Sequence, residues 1–505
     1  MTAYLNSIYQ NLPRLLGSID TDPLSHTYGV TDRNYSAWKT IDFPNATNQG
    51  WAHGLARLIH AGKLPDFLSE NTARSYIDAL FTGTKTITRY NGSLEEACPF
   101  EGSYCVTALV AFDLLCAIEL LHLQNKDDIV APLIGFLNRQ SETHAFISNH
   151  LATAAGAHIK WGLHTGDKQA ITTGERIVTR ILEKQSDEGW FLEYEGADPG
   201  YQSLCMYYLA EIYRVHPSPA LKEALIKGTK FLTYFVHPDG SFGGYYGARN
   251  TRIYYPAAFE FLADLTPDAA AICSAMRASI EHQKTITLNT IDMPNFGPYF
   301  NAYCLAATLS KTKQPPSILP HKNKETFQKY FQQAGLLIHN TNTIYQVIAL
   351  NKGGVVSQFG KDSVSRILDT GPILENKSRY YSIQAMRHND IEISEDRIKI
   401  TAQFHQILSG HPSILAFVIL RILGLTLFQS LTLGRWFKDT VVHRLMLKKK
   451  AIPVYNTRVI DLTGEASIKD TQTGDIDKYH KITTKGPVKA IHMASSGYWE
   501  RQDDP

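Results

Sequence analysis

Two polar residues, Asn149 and His150, stand side by side in "HAFISNHLATAAGAHIKWG" (144–162), where Phe146, Ile147, Leu151, Ala154, Ala155 and Ile159 otherwise make the apolar stripe of a buried helix. An imidazole with an ordinary pKa near ~6.5 is mostly neutral at pH 7 and can accept a proton. A carboxamide beside it can hydrogen-bond an oxyanion. Further along, Tyr201 follows "DPG", and Arg249 and Arg252 lie in "GGYYGARNTRIYYP". A phenol can donate a proton, or accept one where a cation favours its anion, and guanidinium groups pair with carboxylates or sulfates. Glu101, just before an apolar helix, offers a carboxylate.

Each of these residues also has a plainer structural role. The Asn-His pair can cap its helix or bond a loop, Tyr201 can open a buried helix, and the arginines can pair with Glu195 or Asp198. Glu101 can sit at the positive end of the helix that follows it. Adjacent helical residues point about 100° apart, so Asn149 and His150 share a cleft only near the helix end.

The elements that must position these side chains are helical over the first part of the chain. Apolar residues recur at helical spacing over 48–61, 65–81, 103–124, 127–139, 144–163, 168–185, 200–215, 219–236, 253–265, 268–283 and 299–312. Breakers such as "AGKLP", "NKDD", "SDEG", "HPSP" and "LTPD" separate them. Short links imply helical hairpins spaced roughly fifty residues apart without strong sequence repetition. Glycine-aromatic loops, "DEGWFLEYEGADPGY" and "HPDGSFGGYYGARNTRIYY", recur at one end of the hairpins and bring Trp190, Tyr246 and Tyr254 to the expected cleft. A toroid of paired helices gathers such loops around a centre.

After a linker at 311–326 the pattern turns to strands: "AGLLIHNTNTIYQVIALNKGGVVSQFG" is broken by "NTN" and "NKGG". "DIEISEDRIKITAQFHQIL" predicts a hairpin turning at Glu395-Asp396, and "TRVIDLTGEASIKDTQTGD" alternates in the same way. The expected class is α+β and multidomain. An (α/α) toroid fills 1–315, and an antiparallel β-sandwich fills 327–505 with a helical apolar insertion near 412–450.

Bulk properties narrow the function. With 505 residues, 44% hydrophobic and 19% charged, the chain is globular and long enough for two domains or more. A net charge of +2 argues against a nucleic-acid partner. The 26 Tyr exceed the 22 Phe, a balance that suits sugar-binding clefts. The six cysteines form no CxxC pair and read as free buried thiols of a reducing compartment. No HxxxH pair with a carboxylate ligand accompanies His144, His158 and His164, so neither metal nor cofactor is expected. "PDGSFGG" is similar to glycine-aromatic turns of terpene cyclases, but no DxDD or DDxxD sequence accompanies it.

The start lacks a basic region followed by an apolar core, so no cleaved signal is expected. "PSILAFVILRILGLTLFQSLTLG", Pro412 to Gly434, is almost continuously apolar and is followed by Arg435, Lys438, Arg444 and Lys448 to Lys450. That arrangement fits a buried hairpin, or a helix at a membrane interface, better than a span. The expected localisation is cytoplasmic or peripheral to the inner membrane.

The order of helices and strands, with "NQGWAHGLARLIHAG", "FISNHLATAAGA", "DEGWFLEYEGADPGYQ" and "GGYYGARNTRIYYP", resembles the heparinase II/III-like and related (α/α)-toroid polysaccharide lyases. The resemblance implies a lyase acting on an acidic, uronate-containing glycan by C5 proton abstraction and β-elimination. That reaction needs a group to neutralise the carboxylate, a base for C5 and an acid for the leaving oxygen. Asn149 would shield the carboxylate and His150 would act as base. Tyr201 would donate to the leaving oxygen, or serve as base if Arg249 or Arg252 favoured its anion. Arg252, Tyr254, Glu101, Trp190 and Tyr246 would bind substrate. Two other readings stand beside it. One is a toroid glycoside hydrolase pairing Glu101 with Glu195 or Asp198. The other is a non-catalytic glycan-binding protein of a surface-polysaccharide system.

Overall fold

Short capped breaks divide the first three hundred residues into helices. They are α1 (Ala3–Leu16), α2 (Arg33–Ser36), α3 (Ala52–His60), α4 (Glu70–Ile87), α5 (Tyr104–Leu121), α6 (Asp127–Arg139), α7 (Ser148–Thr165), α8 (Lys168–Leu182), α9 (Pro199–Val215), α10 (Pro219–Leu232), α11 (Ala257–Leu262), α12 (Pro267–Glu281) and α13 (Phe296–Leu309). The computed structural model describes residues 2–142, 145–309, 314–362, 365–383, 389–407, 413–442, 450–463, 467–482 and 497–499. Ser69, Ser103, Asp167, Asp198, Ser218 and Thr266 cap helices by accepting from the first free N–H groups. Pro199, Pro219 and Pro267 occupy first turns, where a missing N–H costs no intrahelical bond.

The helices form two concentric layers. α3, α5, α7, α9, α11 and α13 each pack on the next, and α13 returns to α3, closing an inner ring. α1, α4, α6, α8, α10 and α12 lie outside it. This is an (α/α) toroid. The inner helix α5 is long and apolar enough to cross a membrane, but most of it is buried inside the protein, as befits a core helix. Asn301 fastens the closure by donating to Gly50 O (3.0 Å) and accepting from Gly54 N (2.9 Å). A Cβ at Gly54 would stand 2.6 Å from the Phe300 ring, so glycine lets α3 and α13 meet.

The inner helices α3, α5, α7, α9 and α11 are each followed by an outer helix running back, and α1 supplies the sixth outer helix, packed on α13. The inner helices therefore run the same way, and their N-termini gather at one rim.

Among the described residues twelve strands follow: β1 (Phe327–Phe331), β2 (Leu336–Asn340), β3 (Ile344–Ala349), β4 (Val355–Gly360), β5 (Arg366–Asp369), β6 (Ile373–Glu375), β7 (Arg379–Tyr381), β8 (Asp390–Ile393), β9 (Arg397–Ile407), β10 (Ala451–Asp461), β11 (Ile468–Gly474) and β12 (His480–Ile482). One antiparallel sheet runs β1-β2-β3-β4-β5, and the other runs β11-β10-β9-β7-β6-β12 with β8 also on β9. Leu337, Ile348 and Val356 of the first sheet meet Ile398, Ile400 and Ile460 of the second. The opposite face of the first sheet, with Ile338, Tyr345, Val347 and Phe359, joins the core of the toroid. The first sheet is thus a middle layer, and β2, β3 and β4 are buried at every position.

Arg458, fully buried between the sheets, donates to Asp369 (2.6 Å), Asp470 (2.8 and 2.9 Å) and Gly354 O (2.9 Å). The sheets grip the toroid through Lys352, whose Nζ reaches Tyr245 O and Gly247 O (both 2.7 Å) and Asn250 Oδ1.

Between β9 and β10 come α14 (Ile414–Leu425) and α15 (Leu431–Val442). α14 has 12 residues, about 18 Å at a rise of ~1.5 Å per residue, and falls short of a ~30 Å hydrocarbon core. The alternative expectation of a buried hairpin is corrected here, because most of its apolar side chains face outward. The helix expected over 253–265 shrinks to α11, since residues 251–256 run without regular structure into Pro256.

Candidate active site

At the rim of helix starts, the segment before α7 pairs with the loop before α9. Ser148 N donates to Leu192 O (3.2 Å) and Tyr194 N to Phe146 O (2.9 Å). The extended backbone at 190–193 sends side chains alternately to opposite sides. Trp190 and Leu192 face one way, while Glu193 turns toward α7, where its Oε2 accepts from Asn149 Nδ2 at 2.8 Å.

Glu193 is buried, and its Oε1 has no hydrogen-bond partner. Burial pushes its pKa up to about 7, against the pull of the Arg249 and His150 charges and the Asn149 bond. Sequence reasoning weighed Glu195 and Asp198 and passed over Glu193. The signal that would have found it is parity with buried Phe191 along the extended run 190–193, which breaks at Tyr194 before Glu195.

Asp198 organises the opposite wall. Its Oδ1 accepts from Tyr201 N (3.1 Å), capping α9, and its Oδ2 accepts from Arg249 N (2.8 Å) and Thr251 N (3.3 Å). These bonds set the Arg249 guanidinium 4.0 Å from the Tyr194 ring centre and 5.7 Å from that of Tyr201. Tyr194 and Asn250 both take left-handed backbone conformations, at φ 57° and 59°. Such angles are uncommon for a bulky side chain and mark a conformation imposed by its surroundings. Burial disfavours the Arg249 charge, but Tyr201, Tyr194, Glu193 and Asp198 more than offset it, and its pKa is raised.

His150 lies beside this group with two partners of its own. Its Nδ1 is 2.7 Å from Glu142 Oε2, and Cys105 is hydrogen-bonded to the same ring. Burial opposes charge on the imidazole, but Cys105 and Glu142 outweigh it and raise its pKa well above the ordinary value. Burial also raises the Cys105 pKa, against the pull of His150. The expected base is thus held by Glu142 and Cys105 beside the Asn149–Glu193 pair.

Asn149, Tyr201 and Arg249 are therefore brought together, with Glu193 added. The other expected residues are not part of this cluster. Glu101 Oε1 accepts the backbone N–H groups of Glu96 (2.9 Å), Ala97 (2.5 Å) and Cys98 (3.3 Å), shaping the loop before α5. Of the acidic residues weighed as its partners, Asp198 caps α9 and Glu195 is exposed. Tyr254 is fully buried, stacked on Phe259 beside Phe242, which corrects its substrate-binding assignment. Arg252 is buried near His237 and Tyr246, apart from Arg249. Trp190 and Tyr246 line a separate cavity of about 430 Å³ between the toroid and the first sheet, with Lys184, Glu195, Asn351 and Lys352. His144 lies outside the described residues, and His158 is buried with neither ring nitrogen bonded.

Deeper in the ring, His53 Nδ1 meets Asp113 Oδ1 (2.9 Å), and Arg57 donates to His53 Nε2 (2.8 Å) and Glu211 Oε2 (2.6 Å). Because arginine can only donate, Nε2 accepts and the proton sits on Nδ1. His53, Cys116 and Glu211 are spaced like metal ligands, but Arg57 already engages the histidine and glutamate. This network ties α3, α5 and α9 together as structure.

The sequence matches no protein family and no curated protein. Several solved structures are similar in backbone course. Paenibacillus xanthan lyase has a TM-score of 0.49 and 10% identity, over 81% of this chain and 46% of that one. Streptomyces coelicolor A3 chondroitin AC lyase, solved with chondroitin sulphate, has a TM-score of 0.47 and 8% identity, over 80% and 68%. The cellobiose 2-epimerase of Bacillus thermoamylovorans B4167 has a TM-score of 0.45 and 11% identity, over 61% and 99%. The chain spans about half the length of the xanthan lyase. These are likenesses of fold, not of chemistry.

Proposed function

We propose that this chain is a polysaccharide lyase acting on an acidic, uronate-containing glycan. The observation that carries the reading is the Arg249 guanidinium set between the Tyr194 and Tyr201 rings, beside the Asn149–Glu193 hydrogen bond. Arg249 and the remaining amide hydrogen of Asn149 take the substrate carboxylate. With that charge neutralised, C5 becomes acidic enough to lose its proton.

Tyr201, half-buried beside a guanidinium that favours negative charge on its oxygen, is the base. As the C5–H bond breaks, the electron pair forms the C4=C5 double bond and the C4–O bond opens. The phenol then returns its proton to the leaving oxygen, so one residue serves both steps. Glu193 fixes the carboxamide of Asn149, and the His150–Glu142 pair braces the start of the same helix.

The test is the ultraviolet absorbance of the conjugated uronate when the chain is supplied with uronate polymers. Its absence across such a panel refutes elimination. A second reading, hydrolysis, draws on Glu193, since a buried carboxyl with a pKa of about 7 suits a general acid. Hydrolysis would give new reducing ends with no rise in absorbance. Glycan binding with neither product would favour the non-catalytic reading.

A further inference from the structure

The hairpin α14–α15 plays no part in the chemistry above and leaves its apolar side chains in the open. Ile414 is 84% exposed, Leu415 67%, Phe417 51%, Ile422 56% and Leu425 66%, and on α15 Trp436 is 64% exposed. The distribution around the helix decides what covers it. From Ile414 to Ile419 every residue of α14 is exposed, so its first turns are apolar on all sides. A protein groove covers one stripe of a helix, whereas lipid acyl chains can surround it.

Charge points the same way. Apart from Arg421, which pairs with Asp42, the sequence between Ser413 and Lys450 carries Arg435, Lys438, Arg444, Lys448, Lys449 and Lys450 against Asp439 alone. That excess complements an anionic headgroup layer. The length of α14 rules out a span and fits insertion into one leaflet.

We propose that α14–α15 is a monotopic anchor that seats the protein on an anionic lipid bilayer. The other end of α14 is fixed to the toroid. Arg421 pairs with Asp42 (2.9 Å), Gly424 packs against Phe100, and Tyr90 OH donates to Gln429 O (3.0 Å). Residues 42–43 and 90–100 lead into the inner helices α3 and α5, so the anchor attaches at the rim where Asn149, Tyr201 and Arg249 lie. The bilayer would then face the mouth of the toroid, an orientation that does not depend on which reaction occurs there.

The experiment is flotation of the full chain with vesicles of phosphatidylcholine alone, or of equal parts phosphatidylcholine and phosphatidylglycerol. The comparison is the variant Phe417→Ser/Ile419→Ser/Ile422→Ser, whose changes lie on exposed positions. The parent is expected to float with the anionic vesicles and far less with the neutral ones. The variant should lose at least tenfold of that binding with an unchanged melting temperature. Brominated acyl chains should quench parent fluorescence, and Trp436→Phe should remove most of that quenching. The proposal is overturned if the parent stays unbound, or if the variant floats equally well. It is also overturned if the parent is an oligomer without lipid affinity that the variant dissolves.

Discussion

The backbone N–H of Arg249 rests 2.8 Å from Oδ2 of Asp198, whose other oxygen caps the helix that carries Tyr201. One buried carboxylate thus sets the distance between two candidate catalytic side chains that are remote in sequence. Asp198→Ala should lower kcat by about 10²-fold with a smaller change in KM, because the loss is one of orientation. Asp198→Asn keeps one acceptor and should recover part of the rate. Steady-state kinetics on a uronate polymer give the split, and equal rates for both variants would deny Asp198 a positioning role.

Tyr201→Phe removes only an oxygen from a half-buried ring. Elimination should fall by about 10²- to 10⁴-fold while the thermal midpoint stays put. A variant retaining near-parent absorbance growth would transfer the proton-moving role to another residue.

Glu193 gives a pH signature in stability. Its carboxyl is held at about 7 against an ordinary 4.5, so folding favours the protonated form. Its contribution is complete below pH 4.5 and is lost as pH rises through about 7. Glu193→Gln mimics the protonated group. The variant should match the parent in acid and exceed it by up to roughly 3 kcal/mol above neutrality. Denaturation midpoints across that range give the answer, and parallel curves would contradict it.

His150 shifts in the same direction but concerns a cation. Its raised pKa comes from the pairing with Glu142 and Cys105 that overcomes burial. The stabilisation is present below the unfolded value near ~6.5 and fades as pH climbs through the raised folded value. His150→Gln should therefore cost about 1.5–3 kcal/mol in mild acid and progressively less in alkali. A penalty that grows with pH would mean the ring is neutral.

Arg458 is the test of the sandwich. Removing it leaves Asp369 and Asp470 facing each other across a vacated interior site. Arg458→Ala should lower stability by about 3–5 kcal/mol, read from the denaturant midpoint, with no direct effect on the rim cluster.

Much of the architecture was readable because each pattern had one physical cause. The hairpin turning at Glu395-Asp396 is there, with Ile393 opposite Ile398 in register. The inner helices announced themselves by near-continuous apolar sequence. α1 was overlooked, although Ile8, Leu12 and Leu15 of its buried face are spaced for a helix. The site was harder to read, because it depends on which way loop side chains point. Trp190 and Glu193 are separated by only two residues and face different spaces, and Tyr254 turns into the core while Tyr201 stays half-exposed. Nothing in the identity of His150 reveals that Glu142 is its partner.

The ammonium group of Lys352 comes from the first sheet, yet it holds Tyr245, Gly247 and Asn250, the loop that carries Arg249. The boundary between helices and strands is therefore not a seam at which the protein can be divided. A chain cut short in the linker would keep every candidate catalytic side chain and lose the tether of one of them. Recombining this toroid with a foreign sheet would succeed only if the graft brought a lysine to that place.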